Sequence, residues 1–497
     1  MATTETLPEF LLSWAEHAPQ SIFIGEPERD RGYTYGEVAR AIGRFRALLR
    51  RLGVLRGDRV ALLADNSPTW VVAYLGTMTH GAVAAPLNTR HATGDLDRVL
   101  DHFTPTAIWA DPAYLARLSP RHACRAIAST ELDLTSGTAP SLDGSEARPG
   151  EIGILCSTSG TTGAPRGVMI TNQSLVRSAL TFALLFQSGP DSGTTILCPL
   201  FHNTGYNDGL GHMLLAGGRL DVPRRFEPET ATRALAAEHY SFLIGVPTIY
   251  GRMLPRLEAT PPRASWAPWF AYGGAPMPGP LATRLAEVVP GARLVNVYGM
   301  SEATSITHYQ PWRPGPRDLT AIGLAVPGTR DRLAPDGELQ VDTPTAMLGY
   351  WQDHQATQAK FDGPWLRSGD LARRGDDGLL RLVGRVDDLI NRGGEKIAPL
   401  EVESAIGAHP DVMEASVVGL PDRDLGEIVG AAVVLRAGSG IDAANLGRFL
   451  AERIADYKSP GRLRFLPALP RNPNGKVLRE EVRRLLSEDR DTPEERP

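Results

Sequence analysis

The chain has 497 residues, 42% hydrophobic and 22% charged, a balance that excludes a disordered or collagen-like polymer. Its formal net charge of −5 offers no basic face for neutralising nucleic-acid phosphates. The three cysteines, Cys124, Cys156 and Cys198, are odd in number and lack CxxC spacing, which disfavours both a disulfide framework and a cysteine zinc site.

From the amino end, MATTETLPEFLLSWAEHAPQ lacks a basic region followed by a clean apolar core. No later stretch reaches the roughly 18 apolar residues of a membrane span. A cytoplasmic protein that is neither secreted nor membrane-embedded is expected. Thr34 and Glu37 form a capping box that opens a helix over 34–52, with Val38, Ile42, Phe45, Leu48, Leu49 and Leu52 on one face. RVALLAD (59–65) reads as a buried strand, 68–80 as a helix and AVAAPL (82–87) as a second strand, a βαβ rhythm. Residues 120–150, rich in Ser, Thr, Pro and Gly, read as a surface excursion. Strands are then expected at 151–156, 194–199, 241–245, 267–272 and 292–298, alternating with helices at 171–187, 205–216, 228–239 and 280–288. The pattern predicts a large, multi-layered α/β body with a small β-rich part. Near 384–400 the character changes, and a helix near 399–408, strands near 412–419 and 429–436, a helix at 443–455 and a strand near 462–466 predict a small α+β domain. A domain boundary is expected within this stretch.

The chemistry begins at Ser157-Thr158-Ser159-Gly160-Thr161-Thr162-Gly163-Ala164-Pro165-Arg166-Gly167, directly after an apolar strand. Glycines let backbone approach an anion, while five hydroxyls can serve phosphate oxygens and a magnesium ion. The Walker A pattern fails, because Pro165 stands where its second glycine belongs and Arg166-Gly167 replaces its Lys-Ser/Thr pair. Taken alone, the string is equally a hydroxyl-rich surface turn.

Further strings follow in order: PLFHNTG (199–205), YGGAP (272–276), NVYGMSEAT (296–304), GLAVPG (323–328), LGYW (348–351), WLRSGDLA (365–372), GRVDDLINRGGEKIAPLEVE (384–403) and PRNPNGK (470–476). Together with STSGTTGAPRGV they resemble, over nearly the entire chain, the motifs of the acyl-adenylate-forming superfamily of acyl-CoA synthetases, adenylation enzymes and firefly luciferase. The likeness is greatest to a bacterial acyl-CoA synthetase. The resemblance implies an enzyme that joins a carboxylic acid to a thiol through an acyl-AMP, using ATP, Mg²⁺ and coenzyme A. Catalytic roles would fall on Lys476, Glu302, Thr161 and Arg166, with Glu302 and Thr161 holding the metal. ATP or AMP would be bound by Ser157, Thr158, Ser159, Gly160, Thr162 and Gly163, by Gly273, Gly274 and Ala275 beside the base, and by Asn296, Val297, Tyr298, Gly299, Met300 and Ser301. Tyr298 would stack on adenine, Asp370 would accept from the ribose hydroxyls, and Leu382 and Arg385 would complete the set. Lys476 would reach the α-phosphate; only four lysines, Lys360, Lys396, Lys458 and Lys476, occur among 52 basic residues. By family position the acid pocket would be lined by His202, Asn203, Tyr206, Asn207, Val246, Tyr272, Gly273 and Met300. Asp387 would be the hinge, which puts the boundary at 386/387 and gives domains 1–386 and 387–497, and Gly393, Gly394, Lys396 and Lys458 would belong to the CoA channel, Lys458 and Lys396 through either an ion pair or a CoA-phosphate contact.

Two departures bear on this reading. Arg166 stands where the family usually has lysine, replacing a compact charge by a wide planar fork. Losing a donor aimed at transition-state charge costs about 10²- to 10³-fold, so the alternative to a full ligase is an enzyme biased toward thioesterification of preformed acyl-AMP. The stretch 327–341 is shorter than the family normally shows. Aromatic and polar residues at 201–208 favour an aryl, cyclic or functionalised acid over a long alkyl chain. The acceptor is CoA or a phosphopantetheinyl carrier protein. Dimerisation is common in such enzymes, and no nucleic acid is expected as a partner. A catalytically silent nucleotide-binding scaffold is the contrasting reading, against which Glu302, Asp370, Arg385 and Lys476 speak.

Overall fold

The computed structural model describes residues 5–134, 144–159, 165–236, 240–263, 267–275, 277–315, 317–436, 438–471 and 477–488. The chain forms two compact units, one of residues 1–331 with 341–366 and one of residues 332–340 with 367–497.

In the first unit, local signals are carried through into packing. The Thr34 hydroxyl accepts from the Glu37 N–H at 3.2 Å, while the Glu37 carboxylate accepts from the Thr34 N–H at 2.8 Å. This capping box starts the helix Tyr35–Arg51, whose Val38, Ile42, Phe45 and Leu49 are buried. The helix packs against Pro68–Thr79, a helix apolar on every side and almost wholly buried. Around them a seven-stranded sheet runs in the order Gly349–Tyr350, Pro165–Thr171, Ile152–Ser159, Val83–Pro86, Arg59–Leu63, Ala107–Ala110, Ala126–Ala128. Its strands from Ile152–Ser159 to Ala126–Ala128 are parallel, and buried apolar runs such as RVALL suit a sheet covered on both faces. The last of these strands lies inside the stretch expected as a surface excursion. Three residues are too few to show a period, and the strand forms because Ala107–Ala110 offers it an edge.

A second sheet places Phe242–Gly245, Trp269–Tyr272 and Arg293–Met300 side by side in parallel, then turns antiparallel through Ser305–Tyr309 and Leu324–Ala325. Leu243, Tyr250, Phe270, Tyr272 and Leu294 share a core on one side of it. Phe182, Phe242, Ala271 and Val295 share another. The four-stranded sheet Arg31–Thr34, Ile22–Glu26, Arg219–Asp221, Gly193–Thr195 completes the unit's layers. The strand expected over 194–199 is thus only three residues long.

The helix expected over 205–216 departs from expectation in kind. Thr204–Gly211 is π-helical and only His212–Ala216 is α-helical. Six of the eight residues TGYNDGLG are poor α-helix formers, three Gly with Thr, Asn and Asp, and every residue from Gly205 to Gly211 is buried, which a one-sided α-helical stripe cannot provide.

In the second unit, the hairpin Val412–Asp422 with Gly426–Leu435 joins Ile390–Arg392, Glu395–Ile397 and Arg462–Phe465 in one sheet. Pro399–Gly407 and Ala443–Ala451 bury Val402, Ile406, Leu446 and Leu450 against Val417, Val429 and Val433. Arg479–Ser487 closes the opposite face with Val482 and Leu486.

Candidate active site

The described flanks of the string 157–167 are the two strands of a β-hairpin. Ile152–Ser159 and Pro165–Thr171 pair antiparallel, setting Ser157 opposite Gly167 and Thr158 opposite Arg166. Gly160, Thr161, Thr162 and Gly163 lie outside the described residues, as does Lys476, and of Ser159 only the backbone is described. A Cβ on Gly167 would come within 2.8 Å of the Phe103 ring and 2.9 Å of Leu155, so close packing keeps that position small.

Three residues from distant stretches meet beside this hairpin. The strand Gly349–Tyr350 pairs with Val168 and Met169, and the Trp351 N–H donates to the Gly167 carbonyl at 2.7 Å. That pairing brings the Tyr350 ring under the Arg166 guanidinium, 5.4 Å from carbon to ring centroid, within cation–π range. The Tyr350 hydroxyl donates to the Glu302 carboxylate at 2.7 Å. Burial, then the Glu302 charge, pushes the Tyr350 phenol well above its ordinary pKa, so it stays a donor. Glu302 itself sits in a 3₁₀ turn, Ser301–Ala303, and its backbone carbonyl accepts from the Met347 N–H at 2.7 Å.

The other candidates of the large unit gather at strand ends. Val246 follows Phe242–Gly245, Gly273-Gly274-Ala275 follows Trp269–Tyr272, and Tyr298 to Met300 end Arg293–Met300. In open α/β sheets the carboxyl ends of parallel strands are where ligands bind. Gly274 has φ +75° and lies so that a Cβ would be 3.5 Å from Val246. Gly299 admits no side chain at all, since a Cβ would fall 1.5 Å from the Ser305 carbonyl oxygen. A β-bulge between Tyr298 and Gly299 breaks the pairing with Ser305–Tyr309 at this point and leaves Tyr298 edge-on to His308, ring centroids 5.8 Å apart. Asn296 and Val297 are buried, and the Asn296 amide donates to the Ala321 carbonyl at 3.0 Å, so these two hold the strand rather than face outward. The same holds for Tyr272, fully buried, whose hydroxyl donates to the Leu319 carbonyl at 2.7 Å.

The segment 202–208 mixes two environments. His202 and Asn203 are half-buried, whereas Tyr206 and Asn207 are fully buried. Tyr206 packs on Tyr74, ring centroids 5.9 Å apart, and the Asn207 amide donates to the Ser178 hydroxyl at 2.8 Å. Among the described residues neither polar atom of the Asn203 amide has a hydrogen-bond partner, although both are buried. Asp208 accepts from the Ser305 hydroxyl at 2.7 Å, and burial pushes its carboxyl up to about 7. His212 donates from Nδ1 to the Asp208 backbone carbonyl and accepts at Nε2 from Ser188; burial holds it neutral, down to about 3. Burial also raises the Cys156 thiol and pushes Cys198 up to about 12, so neither is a ready thiolate nucleophile.

In the small unit, Trp365–Arg374 pairs with Leu380–Arg385, putting Asp370 opposite Arg385 and Leu382 opposite Ala372. The Arg385 guanidinium lies 3.5 Å from the Asp370 carboxylate. Asp387 is exposed in the 3₁₀ turn Val386–Asp388. Gly393 and Gly394 are the two-residue turn between Ile390–Arg392 and Glu395–Ile397, with φ +60° and +95°, the hairpin geometry that favours glycine at both places. Lys396 is exposed beside them. Lys458, for which an ion pair and a CoA contact were both open, pairs with Glu401 at 2.6 Å.

The AMP-binding enzyme pattern matches residues 11–351, and the AMP-binding enzyme C-terminal domain pattern matches residues 401–476. The chain belongs to the AMP-binding enzyme family. This AMP-binding enzyme is 32% identical over 463 residues to a feruloyl-CoA synthase from an Amycolatopsis species, covering 91% of this chain and 93% of that one. It is similar to ATP-bound MatB from Rhodopseudomonas palustris, with a TM-score of 0.87 and 28% identity over 97% of this chain and 99% of that one. It also resembles the o-succinylbenzoate CoA synthetase MenE of Bacillus subtilis solved with its acyl-adenylate intermediate, with a TM-score of 0.84 and 27% identity over the full length of both. Among the described residues, no helix is long and apolar enough to cross a membrane. Sequence reasoning matched LGYW to the family and gave Tyr350 no role; its contacts join it to Val168 in another strand and to Glu302, 48 residues away, which no local pattern carries.

Proposed function

We propose that this AMP-binding enzyme is an ATP-dependent carboxylic acid–CoA ligase. The observation that carries the reading is the placing of Val246, Gly273-Gly274-Ala275 and Tyr298–Met300 at strand ends, with Glu302 tied through Tyr350 to Arg166 on the strand Pro165–Thr171. Relatives that are CoA ligases, one of them solved with its acyl-adenylate, support it.

In the first half-reaction a substrate carboxylate oxygen attacks the α-phosphorus of ATP. An O–P bond forms, the bond to the bridging α–β oxygen breaks, and pyrophosphate leaves. In the second, a thiol sulfur attacks the acyl carbon, the C–O bond to AMP breaks, and the thiol proton is released. Mg²⁺ binds through one or two carboxylates together with substrate phosphates, so the half-buried Glu302 fits as its protein ligand, with Thr161 as the second. When bound, the cation screens phosphate charge. Tyr298 would cover the base, Asp370 and Arg385 would hold the ribose, and Lys476 would stabilise the charge that builds as the carboxylate attacks. A hinge at Asp387 would let the 387–497 domain serve the two steps in turn, with Gly393-Gly394 lining the thiol's path. The substrate is proposed to be an aryl, cyclic or functionalised acid, in keeping with the feruloyl and o-succinylbenzoyl relatives.

A second reading, thioesterification of preformed acyl-AMP, is favoured by one observation: the Arg166 guanidinium is engaged with the Tyr350 face, where the family's lysine would be a free point charge. The test supplies Mg²⁺, CoA and an acid panel in two arms, with ATP or with chemically prepared acyl-AMPs, and reads products by mass spectrometry. Acyl-CoA in both arms is expected. Product only from preformed adenylates would move the assignment to the second reading, and product in neither would end both. Arg166→Lys sharpens the choice: ATP-dependent turnover staying within about threefold fits a tolerated substitution, while a large gain fits the second reading.

A further inference from the structure

We infer that Tyr350 is a positioning residue that sets the Glu302 carboxylate for the cation carried by ATP and couples it to Arg166. The inference rests on the proposed role of Glu302 and goes beyond it. Tyr350 touches both charged groups, its hydroxyl on Glu302 at 2.7 Å with the Arg166 guanidinium also in reach of it, and its ring face under Arg166 at 5.4 Å. The ring is 5% exposed, so little solvent screens either contact. Its backbone is fixed as well, since the Tyr350 N–H donates to the Thr357 hydroxyl at 2.8 Å and its strand pairs with Val168.

Glu302 is held from two directions by this one segment. Met347 binds its backbone carbonyl and Tyr350 its carboxylate, so the side chain has little freedom to turn away. A carboxylate has room for about four lone-pair contacts, and one hydroxyl leaves capacity for a cation. Such outer contacts orient a ligand, and a donated hydrogen bond also favours the charged form of a carboxylate. The phenol also occupies a carboxylate oxygen that the guanidinium could otherwise take. Without it, the two opposite charges could collapse into a direct pair that removes both from their proposed ligands.

Calorimetry of ATP binding to the full chain, without acid or CoA and at a series of Mg²⁺ concentrations, tests this apart from turnover. Tyr350→Phe keeps the ring under Arg166 and deletes the hydroxyl; it should raise the Mg²⁺ needed for half-maximal ATP binding about 10-fold or more. Turnover measured alongside should show KM for ATP rising more than kcat falls. Thr357→Val, which removes the acceptor of the Tyr350 N–H and leaves the Tyr350 side chain intact, should shift the same requirement in the same direction by a smaller factor, and it carries the test if the Phe variant does not fold. Glu302→Gln is the reference. A raised requirement in Glu302→Gln with none in the other two overturns the positioning role alone. No change in any of the three overturns the metal role of Glu302, and the inference with it.

Discussion

In the large unit, Glu302, Tyr350 and Arg166 are each tied to another member of the same group, and the turn carrying Glu302 is anchored by a backbone bond to Met347. In the small unit, Asp387, Gly393, Gly394 and Lys396 are exposed, and the glycine pair occupies a hairpin turn that packs on little but Leu425. The contrast separates two ways of building a site. Paired, half-buried groups fit a task that needs one fixed geometry, such as cradling phosphates. An exposed, tightly turned loop fits a task in which the loop is brought to its ligand for one step only.

Glu302→Gln should break the comparison most strongly. Acyl-CoA formation from ATP and acid should fall about 10²- to 10³-fold, and far more than formation from prepared acyl-AMP; equal losses in both assays would show that Glu302 does not belong to the first step. Gly394→Val should do the reverse at a smaller size. At φ +95° a β-branched residue is strained, and thioester formation should fall about 10-fold more than pyrophosphate release. A change of equal size in both would remove the glycine pair from the thiol's path.

Asp208 tests whether the buried side also carries a cost. Its carboxyl lies above its ordinary value, at about 7 against 3.8, because burial penalises the charge. The folded state therefore binds the proton more tightly than the unfolded one. The stabilisation is complete below about pH 3.8 and is lost as pH rises through about 7. Urea unfolding of Asp208→Asn at pH 4.5, 6 and 7.5 should show its stability relative to the parent rising with pH, on the order of 1 kcal/mol per unit. A flat difference would mean that the bond from Ser305 already offsets the burial.

Much of this was legible in the residues. The Thr34–Glu37 box marked its helix, and apolar runs such as RVALL marked the parallel strands, because each signal lies within a few residues. The strand ends bearing Gly273-Gly274 and Tyr298–Glu302 were legible through motif order. What escaped depends on partners far away in sequence. Ala126–Ala128 is a strand only because Ala107–Ala110 leaves an edge. Residues 332–340 group with 367–497 through bonds such as those from Arg367 and the Gly369 N–H to Glu338, which no composition change announces. Lys458 could be read as ion pair or phosphate contact until Glu401 appeared beside it. Asn207 and Tyr272, expected to line a pocket, spend a hydrogen bond each on Ser178 and on the Leu319 carbonyl.

The π-helical turn Thr204–Gly211 also governs how this segment can change over time. A π turn accommodates about one residue more than an α turn. Deleting one residue between Thr204 and Gly211 would let the turn relax to ordinary pitch, and the side chains around the gap would be rotated by about 100° relative to one another. At this place a change in chain length does what elsewhere takes several substitutions, exchanging which of Tyr206, Asn207 and Asp208 meets Tyr74, Ser178 and Ser305.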